Sequence, residues 1–550
     1  LDVALPADHP LAEAPGLRLA DLAAERVAHA PSGRGAGPCP AAVLDGFRQD
    51  VAGRLARLAA RTLVLELHEA RTGGRLAGDG TRERFRDFLR LAGSRPRLAS
   101  LATRYPVLAR VLARTALDAA DAFAEMLGRL AADREPLASF GVLVSGGTPG
   151  GCGPEALTGV VPGAGDSHRG GRSVMLLRFA DGTRLVYKPR PLAAHRHFTT
   201  LVDWFNSLAG SPDLLTPRVL DRGAYGWAEF VEEGPCRSVE ETALFYRRLG
   251  ALLALLHVLD GTDLHHENLI ARGPHPVLVD VETLFHPPLT PAGFTDPAAR
   301  ALHASVHRVG LLPQLLVGDT SALDVSAIGG GRAASSPVES AGWAAAGTDT
   351  MHLVRTAGRF TESANRPRLD GVRTDPSAFT DALCDGFRAA YTAVSDARDE
   401  LLGENGLLRL FSRDEVRFVP RPTWAYATLL HESTHPDLMR DATERQRVFA
   451  LLRTGALGPS ALPGLEDEEI AELWRGDVPV FTTRPDTTDL WGGTGRAVPG
   501  PAGATGLERV EAKVRALDTV DRQDQERIIR TAMASTSTEP PHRAVTGGRA

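Results

Sequence analysis

The stretch that most constrains the fold of this chain covers residues 249–285. It begins with a run that is apolar on nearly every side of a helix and ends near Leu259, which predicts a helix buried inside a large lobe. A polar segment, residues 263–268, follows. After a Gly-Pro turn, a β-branched segment ends in Asp280 and Glu282. Because charge at the exit of a buried strand is costly unless a cation compensates it, the sequence predicts a metal or phosphate site here.

This stretch places acids, a histidine and an amide on two short segments that a tight turn joins: Asp263, His265, Asn268, Asp280 and Glu282. Phosphoryl transfer uses that layout, with one Asp at the acceptor hydroxyl and an Asn and a later Asp on the metal. Any one of these side chains could instead be a helix cap or a satisfied loop group, and an isolated histidine often only hydrogen-bonds a carbonyl. The combination favours a metal–phosphate site over a structural network.

Lys188 ends a predicted strand, residues 184–190, that follows the hairpin turn Asp181-Gly182. Alone it would be a solvated lysine at a strand edge. With the acids downstream, it is the expected phosphate-holding lysine of a kinase-like cleft. The glycine-rich residues 163–171 could bring backbone N–H groups to a phosphate, although a flexible surface loop explains them equally well.

A third group lies far downstream, where Arg417, Arg421 and Thr423 bring two guanidinium groups near a hydroxyl. Arginine forks suit a phosphate ester. The alternative is a structural arginine paired with surface acids.

The hydrophobic periodicity predicts an α+β fold in four parts. Three- and four-residue spacing predicts helices from Ala41 and from Tyr105, and short strands follow, one of them at residues 140–144. A small sheet with one helix is the make-up of a kinase-like small lobe, and the larger lobe after it is mostly helical, with a loop at residues 320–350. The predicted parts are a helical N-terminal region (1–137), a small lobe (138–233), a large lobe with inserted and C-terminal helices (234–535) and a disordered tail (536–550).

Charge and cysteine usage exclude several classes of protein. The chain has 62 Lys and Arg against 68 Asp and Glu, a net charge of −6, which gives no reason to expect nucleic-acid binding. Cys39, Cys152, Cys236 and Cys384 are scattered, so neither a zinc site nor a disulfide framework is expected. We find no membrane span and no signal peptide, and we expect a cytoplasmic protein.

Several long motifs occur in a fixed order: GDSHRGGRSV (165–174), LVYKPR (185–190) with FTTLVDWFN (198–206), YGWAEFV (225–231), DLHHENLIARGPHPVLVDVETLF (263–285) and RFVPRPTWAYATLL (417–430). Together they resemble the dehydratase domain of the class II lanthipeptide synthetases (LanM type), over nearly the whole chain. The resemblance implies a fold similar to that of lipid kinases, a bilobal core with added helical N-terminal and C-terminal elements.

The resemblance also implies a two-step reaction on a ribosomal precursor peptide that is bound through its leader. Ser and Thr are phosphorylated with ATP and magnesium, and the phosphate is then eliminated to give dehydroalanine and dehydrobutyrine. The resemblance assigns phosphorylation to Asp263 and His265, nucleotide binding to Lys188, Asn268, Asp280 and Glu282, the metal to Asn268 and Asp280, and elimination to Asp166, His168, Arg417 and Thr423.

Larger members of that family continue into a zinc-dependent cyclase domain, whereas no Cys/Cys-His ligand set follows the last dehydratase-like helix here. We therefore expect no thioether ring formation by this chain, which would work with a separate cyclase or be a fragment of a longer protein. Two alternatives stay open: a kinase that only phosphorylates a peptide or small molecule, and a non-catalytic scaffold that binds the leader.

Overall fold

The computed structural model describes residues 17–30, 39–139, 156–287, 296–317, 322–329, 335–359, 363–455, 462, 464–498, 500, 501 and 503–535. The strand predicted at residues 140–144 and the tail predicted at residues 536–550 lie outside them. Within the described residues no helix is both long and apolar enough to cross a lipid bilayer.

Helices form more than half of the ordered elements. They are α1 (Leu17–Ala28), α2 (Ala41–Thr72), α3 (Thr81–Ala92), α4 (Arg95–Arg104), α5 (Pro106–Ala132), α6 (Arg134–Ser139), α7 (Ala193–Ser207), α8 (Val239–Val258), α9 (Pro297–His303), α10 (Thr380–Asp396), α11 (Arg398–Leu401), α12 (Thr423–Glu432), α13 (Ala442–Phe449), α14 (Glu466–Arg475), α15 (Gly506–Ala516) and α16 (Thr519–Ala534). Short 3₁₀ helices cover Val306–Val309, Pro376–Phe379, Leu407–Phe411 and Ala450–Thr454.

The strands are short, and all their pairings in the sheets are antiparallel. They are β1 (Leu157–Val161), β2 (Met175–Phe179), β3 (Arg184–Lys188), β4 (Val219–Asp221), β5 (Gly226–Glu229), β6 (Leu269–Arg272), β7 (His275–Leu278), β8 (Leu315–Val317), β9 (Ala322–Asp324), β10 (Ser335–Ala344), β11 (His352–Arg359), β12 (Arg368–Leu369), β13 (Val372–Arg373), β14 (Val416–Phe418), β15 (Phe481–Thr483), β16 (Leu490–Gly492) and β17 (Ala497–Val498). The α+β class is therefore confirmed.

The sheet that carries Lys188 has the order β1-β2-β3-β5-β4. Because side chains alternate along a strand, β3 has two different faces. Leu185 and Tyr187 are buried in a core that also holds residues of α1, α2 and α5, whereas Val186 and Lys188 line a cleft. One face of the sheet thus packs on the N-terminal helices, predicted from Ala41 and Tyr105, and the other face lines the cleft.

The buried helix predicted before residue 259 is α8, and Ser238 caps it by accepting a hydrogen bond from the Glu241 amide at 3.2 Å. Nearly every residue from Leu249 to Val258 is buried. The β6–β7 hairpin follows, so the packing of α8 against the large-lobe core fixes the polar segment between them. The hydrophobic pattern predicted this order of elements.

The prediction of a loop at residues 320–350 is wrong over much of that range. β10 pairs with β11, with Trp343 opposite Leu353. The residues of β10 are mostly Ser, Ala and Gly, which have weak strand propensity, so pairing with β11 rather than local sequence decides the strand.

Helices α8 and α10 approach so closely that only glycine fits at the crossing. A Cβ atom on Gly386 would overlap the Arg247 carbonyl oxygen, and one on Gly250 would overlap the Leu383 carbonyl oxygen. Both contacts are with backbone, which cannot rotate away.

We therefore predict that Gly386→Ala lowers the free energy of unfolding by about 1–3 kcal/mol or more, because the two helices must separate. Thermal or urea unfolding measures this. Gly128→Ala is the matched control, since a Cβ on this helical glycine meets nothing within 4 Å. It should be neutral or stabilising by up to about 1 kcal/mol. Equal stability of the two variants would contradict the proposed crossing.

Candidate functional site

A cleft of about 1080 Å³ lies against the five-stranded sheet, the β6–β7 hairpin and the region of β14 and α12. Every residue to which the resemblance assigned a role lines it: Asp166, His168, Lys188, Asp263, His265, Asn268, Asp280, Glu282, Arg417 and Thr423. The structure thus brings together residues that lie as far apart as positions 166 and 423.

Asp280 is the most heavily paired of these residues. Its Oδ2 lies 2.5 Å from an Arg190 guanidinium nitrogen and 3.7 Å from Lys188 Nζ. Its Oδ1 is buried and accepts no hydrogen bond, with His195 Nε2 at 3.5 Å. Desolvation raises the pKa of Asp280, but Arg190 and Lys188 outweigh it and hold the pKa well below its ordinary value. Asp280 is therefore an anion, and one of its two oxygens has no hydrogen-bond partner within the protein.

Lys188 is held at the end of β3 by the loop that carries Asp280. Its Nζ donates a hydrogen bond to the Val279 carbonyl oxygen at 2.6 Å. Burial lowers the pKa of Lys188 to about 8, and the Asp280 carboxylate opposes that shift. The strand-edge alternative is not what the structure shows, because Lys188 is buried in the cleft wall.

Glu282 connects the two predicted sets of residues. Its Oε1 accepts a hydrogen bond from Arg417 at 2.8 Å, and its other oxygen pairs with Arg190. The backbone is joined as well, since the Arg417 amide donates to the Glu282 carbonyl oxygen at 2.7 Å. Arg417 therefore adjoins the acid segment through both its main chain and its side chain.

The polar segment 263–268 is a tight turn closed by Asn268. Asn268 Oδ1 accepts from the His265 amide, and the Asn268 amide donates to the His265 carbonyl oxygen, both at 2.9 Å. Asp263 lines the cleft with a positive φ of 57°. The surrounding protein desolvates its carboxylate and raises its pKa, while His265 and Arg417 pull it down. A carboxylate with a raised pKa is better suited to accept a proton.

His168 is held in one tautomer. Its Nδ1 lies 2.6 Å from the Val478 carbonyl oxygen, and because a carbonyl can only accept, Nδ1 carries the proton and Nε2 carries the lone pair. Burial, with Arg417 adding to it, lowers the pKa of His168 to about 3, so the ring is neutral. The neighbouring Asp166 is exposed along the same cleft.

The glycine-rich residues 163–171 do not form a free phosphate cradle. The amides of Gly170 and Gly171 donate to the Asp477 carboxylate, at 2.6 and 3.0 Å respectively, and the Gly163 amide donates to Ser173 Oγ at 3.1 Å. These amides position the turn that carries His168.

Thr423 is the first residue of α12, whereas the prediction that Arg421 joins it near a phosphate is wrong. Arg421 is buried and donates to Glu469 at 2.9 Å and to the Leu452 carbonyl oxygen at 3.1 Å. It is a structural arginine, although its partner is a buried acid and not the surface acid that the alternative supposed. Sequence cannot distinguish Arg417 from Arg421, because the distinguishing acids lie on different elements.

Sequence reasoning missed two residues that contact Asp280, namely Arg190 and His195. The LVYKPR motif offered a signal for Arg190, which ends it two residues after Lys188. No sequence signal marks His195, a buried residue in the first turn of α7.

The predicted metal ligands fit a magnesium ion that takes further ligands from phosphate. Asp280 Oδ1 is unpartnered, and the Asn268 side chain supplies a second oxygen in the same cleft. Among the described residues, no cluster of three or more His, Cys, Asp or Glu could hold a metal by itself. Magnesium in phosphoryl-transfer sites is bound by one or two protein oxygens together with substrate phosphates, which agrees with this sparse set.

The family of the chain is shown by comparison with known proteins. A family model described as a domain of unknown function, DUF4135, matches residues 105–484, and the chain belongs to this family. All of the candidate residues lie inside the match. The chain is also similar to the lacticin 481/lactococcin biosynthesis protein LcnDR2 of Lactococcus lactis subsp. lactis, with 24% identity over 395 residues. The match covers 68% of this chain and 41% of that protein, so the chain spans less than half of its relative. This relationship confirms the resemblance carried by the motifs.

Burial of neutral histidines makes the stability of the protein depend on pH. Burial lowers the pKa of His168 and His286 to about 3 and that of His195 to about 4. An unfolded histidine titrates near about 6.5, so between these values the unfolded chain binds more protons. Glu472 acts in the opposite direction, because burial raises its pKa to about 7. Burial also lowers the pKa of five further histidines and raises the pKa of four further acids, so eight histidines act against five acids: His257, His266, His275, His307 and His431, and Asp50, Asp118, Asp263 and Glu469.

We predict that the free energy of unfolding decreases as the pH falls from about 7 to about 5, before ordinary carboxylates titrate. Urea unfolding at the two pH values measures the change. His195→Gln should reduce the pH dependence, because one of the buried neutral histidines is then absent. A free energy that stays constant or rises toward pH 5 would contradict the assignment of these histidines as neutral.

Proposed function

We propose that the chain is a dehydratase that phosphorylates Ser and Thr of a ribosomal precursor peptide with ATP and then eliminates the phosphate. The observation that carries this proposal is the pairing of Glu282 with both Arg190 and Arg417. It joins the residues assigned to phosphorylation and those assigned to elimination within one cleft. The relationship to a lacticin 481/lactococcin biosynthesis protein supports the same context.

We interpret the architecture as a kinase-like bilobal core. The five-stranded antiparallel sheet with its lysine corresponds to the small lobe. The polar turn, the β6–β7 hairpin and the acids after it correspond to the catalytic and metal-binding segments of the large lobe. The N-terminal helices and the helices after α12 are additions to that core.

In the phosphorylation step, Lys188 would pair with ATP phosphate, and Asn268 and Asp280 would hold a magnesium ion. The metal, when bound, neutralises charge on the transferred phosphoryl group. Asp263 accepts the proton of the Ser or Thr hydroxyl as its oxygen attacks phosphorus, and His265 orients the turn beside it.

In the elimination step, a base removes the α-proton, the Cβ–O bond breaks, and the phosphate leaves with the bonding electrons as the C=C bond forms. Phosphate is a far better leaving group than hydroxide. The guanidinium of Arg417 stabilises the charge on the departing phosphate, and the Thr423 hydroxyl donates to it. Asp166 and the Nε2 lone pair of His168 provide proton acceptors. A plain kinase needs no such second set.

Incubation with the precursor peptide encoded beside its gene, ATP and magnesium tests the proposal by mass spectrometry. Loss of one water per modified residue is the expected result. A stable gain of phosphate would instead identify a kinase that only phosphorylates, and an unchanged peptide would identify a scaffold that binds the leader.

Asp280→Asn should abolish both steps, because the magnesium loses its carboxylate and Lys188 and Arg190 lose their partner. The phosphopeptide and dehydrated peptide are quantified after a fixed time. Asp203→Asn, on the exposed side of α7, is the control and should retain both activities. Full turnover by Asp280→Asn would show that the metal assignment is wrong.

Arg417→Ala and Thr423→Ala should each accumulate phosphorylated peptide, because only the elimination step loses its phosphate contact. Losses of about a hundredfold or more are expected for a contact of this kind. Thr428→Ala on the same helix is the control, since Thr428 is exposed and its hydroxyl donates only to the Trp424 carbonyl oxygen. If either cleft variant fails to phosphorylate at all, the division of roles is wrong.

A further inference from the structure

The cleft extends from the proposed reaction site along one face of α12. Residues on this face recur at helical spacing, and those that line the cleft are Thr423, Trp424, Ala427, Leu430, His431 and Thr434. Thr423 is at the start of the helix and Thr434 lies just beyond its end. A helix of ten residues is about 15 Å long, so the cleft continues about this distance beyond Thr423.

The walls of this extension combine exposed apolar side chains with Arg57 and Arg61 of α2. Trp424 and Leu353 are 54% and 45% exposed, and Trp343 lies in the same lining. Leu58 of α2 also lines it. Exposed aromatic and aliphatic side chains that form part of a continuous groove are typical of a surface that binds a peptide.

The far end of the groove is lined by Arg445, which is only 2% exposed. One of its nitrogens donates to Ser433 Oγ, directly after α12, at 3.2 Å. Its Nε and Nη1 have no hydrogen-bond partner. The guanidinium carbon lies 5.0 Å from the Phe449 ring centre and 4.9 Å from that of Trp474, so both rings stabilise its charge.

No carboxylate among the described residues pairs with Arg445. Burial lowers its pKa to about 10, and Arg110 adds to the shift. Arg421 shows the ordinary solution for a buried arginine, because Glu469 is folded against it. A buried guanidinium that lacks such a partner is costly and calls for an anion from outside the chain.

We propose that Arg445 binds the carboxylate of an Asp or Glu side chain in the peptide substrate, about four or five residues from the Ser or Thr being modified. The distance follows from the length of α12 and from about 3.3 Å per residue of extended peptide. This inference rests on the proposed function, since it takes the occupant of the cleft to be a peptide. It adds a selectivity for acidic residues that the reaction itself does not require.

A peptide carboxylate suits this position better than free phosphate. The reacting phosphate lies near Thr423, about a helix length away. Trp424, Ala427 and Leu430 line the cleft between the two ends, and such apolar side chains favour contact with a bound peptide over a small hydrated anion.

Fluorescence anisotropy with labelled synthetic peptides tests the proposal without ATP. Each peptide carries one Ser and one Asp in an Ala, Gly and Leu background, at separations from about two to about eight residues. Each of these peptides is compared with an otherwise identical peptide that has Asn in place of Asp. Affinity should be about tenfold higher with Asp than with Asn at separations of about four or five, because a charge-assisted hydrogen bond is formed.

Arg445→Gln should remove the difference between the Asp and Asn peptides. Arg447→Gln is the matched control on α13, since Arg447 is 70% exposed and pairs with Glu444, and it should keep the difference. Circular dichroism establishes that each variant is folded, and the peptide series on the unaltered protein decides the distance even if Arg445→Gln unfolds.

The proposal is overturned if Asp and Asn peptides bind equally, if the preference is the same at every separation, or if Arg445→Gln retains it. Inorganic phosphate that cancels the Asp preference at low concentration would identify a phosphate subsite instead. Because binding is measured without ATP, a failure to dehydrate the precursor peptide leaves this result intact. The dehydratase proposal and the proposed acid-binding role of Arg445 can therefore be refuted independently of each other.

Discussion

The two carboxylates that end the β6–β7 hairpin region govern the charge of the whole cleft. Asp280 and Glu282 are only two residues apart in the chain, directly after β7. Like charges so close together repel unless cations intervene. Arg190 pairs with both, Lys188 adjoins the first and Arg417 pairs with the second. Three distant parts of the chain are thereby required to meet at one place.

The same ion pairs also set the charge state of Asp280. The cations lower the pKa of Asp280 even though desolvation opposes them, so it remains an anion within the protein. The same cations are the natural partners of a polyphosphate. In the proposed reaction ATP would supply competing anions for Lys188 and Arg190, which leaves the unpartnered Asp280 oxygen for the metal. The network would therefore serve as the resting form of a phosphate site.

The sequence predicts those parts of the site whose residues lie close together in the chain. The segment 263–268, the turn and the two acids follow one another in the chain, so their meeting was predictable. The motifs that resemble the family identified Lys188, His168 and Arg417 as candidate site residues. His195 was not predictable, because its role depends only on where α7 packs. The β10–β11 hairpin was missed because small residues conceal a strand that its partner stabilises.

Two buried arginines also show that tertiary packing decides what the sequence alone cannot predict. Arg421 and Arg445 look alike in sequence, and both are almost completely buried. The first meets Glu469 on α14, whereas the second meets the rings of Phe449 and Trp474 and no acid among the described residues. Desolvation penalises both charges, but only one is compensated within the chain. Arg445, whose charge is uncompensated, lines the cleft, where the carboxylate of an acidic ligand can neutralise it.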